Sequence, residues 1–167
     1  MIQKKTNMFR TIINILLLIF ICFNLIVTGH YLRNYILIKD DTLMPPSDFV
    51  HQDNIYVYSD HFLVNLSGYN IIWSRFKDSG SMKPILHKGH NAVEIIPKSI
   101  GDIHLGDIIS YMPTHEESEI SYIHRVVEIN YDQNGTYFIV QGDNNDIPDP
   151  ERVRFKQIVG KVVAIIY

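Results

Sequence analysis

Two hydroxyls, one imidazole and a group of carboxylates are the side chains in this chain best suited to covalent chemistry. Ser79 and Ser81 flank Gly80 in the run DSGSMKPIL at 78–86. A serine hydroxyl is a weak nucleophile near neutral pH and needs a general base. His124, inside YIHRVVEINY at 122–131, is the best candidate for that base. Imidazole accepts a proton at working pH better than any other side chain, and a strand lets neighbouring side chains fix its ring. A histidine base in turn works with a carboxylate that sets its tautomer and stabilises the imidazolium. The run QGDNNDIPDP at 141–150 supplies Asp143, Asp146 and Asp149. Taken singly, each feature is ordinary. Ser-Gly-Ser before a proline reads as a surface turn, Gly-Asp-Asn-Asn as an Asx-rich turn, and a strand histidine as a satisfied one. Their joint occurrence in this order is what favours chemistry.

The elements that must hold these groups read as β. Asn134-Gly135 is a strong hairpin signal between two apolar runs, and it folds 136–141 back against 122–131. The loop that follows then falls beside His124, and this register makes Asp143 its expected neighbour. Ala92–Pro97, Gly106–Tyr111 and Ile158–Ile166 read as further strands, the last largely buried. Asn54–Leu66 reads as a hairpin, and Tyr69–Phe76 as a core strand. A competing expectation for the latter has Ile71, Ile72, Trp73 and Phe76 dipping into a lipid headgroup layer. No helical period is evident after Asn34. A mostly β domain follows, with a coiled sheet.

The N-terminus is different. Residues 11–28, TIINILLLIFICFNLIVT, carry no charge. At roughly 1.5 Å per residue they would span about 27 Å, close to a bilayer's hydrocarbon core. No small-x-small cleavage site follows, so a retained transmembrane helix is expected rather than a removed leader. Lys4, Lys5 and Arg10 precede it, while Arg33 and Lys39 follow beside Asp40 and Asp41. The positive-inside bias puts the N-terminus in the cytoplasm and the rest on the exported face. His30, Tyr31 and Tyr35 sit where interfacial anchors belong. The expected organisation is a cytoplasmic 1–10, a span at 11–28, a membrane-proximal linker and hairpin at 29–77, and a catalytic domain at 78–167.

Composition removes other classes. With 167 residues, a net charge of −3 and no basic block beyond the first ten residues, nucleic acid is not the expected partner. The single cysteine, Cys22, cannot close an intrachain disulfide, and no Cys/His group has zinc-ligand spacing. No metal and no cofactor are expected.

Four blocks in order, Ser79–Pro84, Gly106–Ile109, His124–Val127 and Gly142–Asn145 through Asp149-Pro150, resemble the motif set of type I signal peptidases. The closer likeness is to the archaeal and endoplasmic-reticulum branch, where histidine stands in place of the lysine of most bacterial enzymes. The resemblance implies Ser81 as nucleophile, His124 as general base, and Asp149 in support, with Asp143 either orienting His124 or holding the loop. It implies an oxyanion hole from the Ser81 backbone N–H and the Ser79 hydroxyl. The implied substrates are secretory preproteins cut after small residues, at the bilayer surface and near the translocon. Departures are the connection of about fifty residues between the span and Ser81, the extra 54–66 hairpin, and Ile85 where threonine is common. Two other readings stand beside it. A repressor-type self-cleaving Ser/Lys peptidase would need Lys83, Lys88 or Lys98 in the place of His124. A catalytically silent anchored β-domain would need none of these groups.

Overall fold

The computed structural model describes residues 14–29, 43–77, 79–114 and 120–167. The chain divides into two compact units, Met1–Leu43 and Met44–Tyr167. In the first, residues 14–29 form a helix whose apolar side chains, Ile15 to Ile26, are exposed. Its polar groups turn inward on the backbone. Asn24 Nδ2 donates to the Phe20 carbonyl at 2.8 Å and Thr28 Oγ1 to the Asn24 carbonyl at 2.7 Å. Among the described residues no helix is long and apolar enough to cross a membrane. The expected span begins at Thr11, and its first three residues lie outside the described set, as do the charged flanks and His30, Tyr31 and Tyr35.

The second unit is mostly β. Strands β1 (Ile55–Val57) and β2 (Phe62–Val64) pair as the hairpin the sequence suggested. A six-stranded sheet holds β3 (Ile71–Arg75), β4 (Asn91–Ile95), β5 (Ile108–Tyr111), β6 (Tyr122–Asp132), β7 (Gly135–Gln141) and β8 (Ile158–Ile166). Their order is β3-β4-β8-β5-β6-β7, every pair antiparallel. The closing strand is thus inserted in the middle, between β4 and β5. Only the middle of its run IVGKVVAII, Gly160, Lys161 and Val162, is buried, and the rest is half-buried or exposed.

Alternation along β5 divides the core. Ile109 and Tyr111 join Ile103, Val126, Phe138, Val140 and Val153 in one cluster. Ile108 joins Met82, Leu86, Ala92 and Val162 in another. Successive strand residues point to opposite faces, so one strand feeds both clusters. Tyr69–Phe76 departs from the core-strand expectation. Its ordered part, β3, is a sheet edge, with Ile71 and Trp73 each 57% exposed. Its inward positions, Ile72 and Ser74, are only half-buried, because an edge strand has a neighbour on one side alone.

Candidate active site

The Ser81 turn precedes β4, and its position depends on two glycines. Gly80 sits at φ +74°, a left-handed conformation that side chains other than glycine rarely adopt. Gly142 has no room for a side chain: a Cβ there would stand 2.7 Å from the Ser81 carbonyl oxygen. This close approach lets the loop after β7 clamp the turn. Asn144 N–H donates to the Ser81 carbonyl at 2.7 Å and Asn144 Nδ2 to the Gly80 carbonyl at 3.1 Å. Met82 is buried beneath, and its Sδ accepts from the Asp143 N–H at 3.4 Å.

His124 enters from β6 and is 6% exposed. Its Nε2 lies 3.1 Å from Ser81 Oγ, within hydrogen-bond reach. Its Nδ1 lies 2.5 Å from Asp149 Oδ2. The same carboxylate oxygen accepts from the Tyr111 hydroxyl, also at 2.5 Å. Burial pushes the Tyr111 phenol far up, and the hydrogen bond to Asp149 adds to it, so the hydroxyl stays a donor. With Tyr111 donating, Asp149 is held as the acceptor for Nδ1–H. That leaves Nε2 as the imidazole atom able to accept from Ser81 Oγ. Ser79 Oγ is 3.0 Å from Ser81 Oγ and accepts from the Ser81 N–H at 3.4 Å. The Ser81 N–H and the Ser79 hydroxyl, the two donors expected of an oxyanion hole, therefore lie together beside the Ser81 hydroxyl, with the N–H turned on Ser79 Oγ.

Asp143 takes the second of the two roles open to it. The hairpin register suggested it for His124, but it forms a two-pronged pair with Arg125: Nε to Oδ1 and Nη2 to Oδ2, both 2.8 Å. The reason is strand alternation. His124 and Arg125 are consecutive in β6, so their side chains leave opposite faces. Asp143 meets the second, and Asp149, six residues on, meets the first. Arg125 also donates through Nη1 to the Gly106 carbonyl at 2.7 Å and the Met44 carbonyl at 3.1 Å. Asp143 holds the loop and does not orient His124.

Another buried pair fixes the entry to β5. Lys161 Nζ stands 2.7 Å from Asp107 Oδ2 and donates to Ser47 Oγ at 2.8 Å. Burial alone would raise the Asp107 carboxyl; Lys161, Ser47 and the His104 N–H outweigh it and hold the group below its ordinary value. Among the described residues no group of three or more His, Cys, Asp or Glu could hold a metal ion.

The reactive groups open on one cleft of about 770 Å³. Ser79, Ser81, His124 and Asp149 line it with Tyr111, Tyr122 and Ile123, and Glu94 and Ser110 reach it from β4 and β5. Reasoning from sequence missed two positioning residues. Asn144 was visible only as part of an Asx-rich turn. Tyr111 carried no signal beyond closing the run GDIISY, since its value lies in a contact 38 residues away along the chain.

Comparison with known proteins adds little beyond an archaeal likeness. No family model matches the chain, and no solved structure matches it. A stretch of 43 residues is 49% identical to uncharacterized protein MJ0260 of Methanocaldococcus jannaschii. The match covers 26% of this chain and 21% of that protein.

Proposed function

We propose that this chain is a membrane-anchored serine endopeptidase of signal-peptidase type that removes N-terminal signal peptides from exported proteins. The observation that carries this reading is the line Ser81 Oγ, His124 Nε2, His124 Nδ1, Asp149 Oδ2, with contacts of 3.1 Å and 2.5 Å, opening on one cleft. In the proposed cycle Ser81 Oγ attacks the scissile carbonyl carbon while its proton passes to His124 Nε2. The oxyanion formed is met by the Ser81 N–H and the Ser79 hydroxyl; one such donor is worth about 3 kcal/mol. Collapse breaks the C–N bond, and the proton on Nε2 goes to the leaving amine. Water, deprotonated by the same nitrogen, then hydrolyses the Ser81 ester and restores the hydroxyl. Asp149 keeps its charge throughout and stabilises the imidazolium.

The Ser/Lys alternative loses ground because the position against Ser81 Oγ is held by His124. The membrane anchor rests on the uncharged run at 11–28 and, within it, on Asn24 and Thr28 bonding back to their own helix backbone. Such a helix presents few unsatisfied polar groups to lipid. An anchor of this orientation keeps the cleft on the exported face, where signal peptides emerge.

The test is cleavage of a model preprotein by the full chain in liposomes, with the new N-terminus of the product sequenced. A single cut following a small residue at the end of the signal peptide is expected. An intact preprotein, with the chain bound to it, would instead favour the silent binding domain.

A further inference from the structure

The cleft contains a buried carboxyl group that the proposed cycle does not use. Asp107 faces Lys161 and Asp143 faces Arg125, but Glu94, 1% exposed, receives from the described residues the Ser110 hydroxyl and no cation. The fold makes room for it. Gly160 on the neighbouring β8 carries no side chain, and a Cβ there would overlap the Glu94 carboxyl. Glu94 and Ser110 both line the cleft that holds Ser81, among the apolar side chains of Met82, Leu86 and Ile123. Glu94 and Ser110 are thus a polar pair that the proposed cycle leaves unused, in a cleft whose wall also carries Arg75 and Lys77.

From this we infer that Glu94 and Ser110 form the floor of a substrate subsite that selects a small hydroxyl side chain, serine or threonine, just before the cut bond. The inference rests on the endopeptidase reading. Ser110 already donates to Glu94, which leaves its oxygen able to accept, while the carboxyl retains further acceptor capacity. A substrate hydroxyl suits the pair: it donates to Glu94 while Ser110 keeps its own bond to that carboxyl. A methyl group offers the carboxyl no donor. An ammonium has donors only and must shed a charge's hydration to enter. A site built to bond a hydroxyl discriminates against the analogue that lacks it.

The experiment uses preproteins identical except for Ala, Ser, Thr, Val or Lys at the residue just before the cut. The full chain should favour Ser or Thr over Ala by about tenfold in kcat/KM at this position. Ser110→Ala and Glu94→Met should each bring that ratio to within about twofold while the Ala substrate is still cut. Equal rates for Ser and Ala in the unaltered chain, a preference for Val or Lys, or a ratio that survives both variants would overturn the inference. Should Glu94→Met not fold, as judged by its thermal melt, Ser110→Ala decides alone. If the unaltered chain cuts no preprotein, the endopeptidase reading fails separately. The subsite is then tested by titrating the Ser81→Ala chain with the same signal-peptide segments. Tighter binding of the Ser segment by about tenfold supports it, and equal binding overturns it.

Discussion

His124 and Arg125 are neighbours in one strand, and each meets an aspartate from the same loop, yet the two pairs do opposite work. Arg125 and Asp143 are a fixed ion pair: side chains 3% and 0% exposed, two parallel bonds, no proton to give. His124 and Asp149 end at a hydroxyl on the cleft, and the imidazole can carry a proton to and from Ser81. The difference teaches how a β-strand separates chemistry from support. Alternation sends the movable proton to one face and the permanent charges to the other, and the loop serves both by spacing its two carboxylates.

Variants can break that comparison. The largest effect is expected from His124→Ala, a loss of about 10⁴-fold or more in kcat with the melting temperature nearly unchanged. Asp149→Asn should cost about 10²- to 10⁴-fold in kcat, again with little change in the melt, because the amide no longer fixes the imidazole tautomer. Asp143→Asn belongs to the other face. It leaves the Arg125 charge buried without its partner and should cost about 3–5 kcal/mol of stability, read from denaturant unfolding. If Asp143→Asn left stability intact and removed activity, the division of labour would be wrong.

The Asp107–Lys161 pair extends the same contrast to pH. The Asp107 carboxyl is held below its ordinary value of 3.8 in the folded chain. Its contribution is therefore complete above that value and is lost as pH falls through the lower, folded one. Asp107→Asn should destabilise the protein at neutral pH, with the gap to the unaltered chain closing in acid below about pH 4. Urea unfolding at a series of pH values checks this. The smallest effect is expected from Tyr111→Phe, which keeps the ring in its core cluster but removes a donor from Asp149. A loss of about tenfold in kcat with KM unchanged is expected, accompanied by a shift of the His124 Nδ1–H proton resonance. A packing role alone would leave that resonance in place.

Much of the fold was legible because its signals are local. Asn134-Gly135 marked the β6–β7 turn, and the apolar runs marked β4, β5 and β8. Ser81 and His124 were legible through residue type and order; which of Asp143, Asp146 and Asp149 meets His124 was not. What sequence could not resolve was which face each side chain takes once strands pair. Register placed Asp143 near β6, but only the alternation of His124 and Arg125 decided which of the two it meets. Ser110, Glu94 and Gly160 come together across β5, β4 and β8, strands far apart in sequence, so no local pattern announces them. The edge position of β3 was hidden for the same reason, since β8, the last strand, takes the centre of the sheet.

The central claim is that Ser81 is the attacking group. It is tested most directly by measuring preprotein cleavage in liposomes by the unaltered chain and by Ser81→Ala side by side, with thermal melts confirming that both are folded. A loss of about 10⁴-fold or more is expected for Ser81→Ala at an unchanged melting temperature. A folded Ser81→Ala chain that cleaves at the unaltered rate would contradict it.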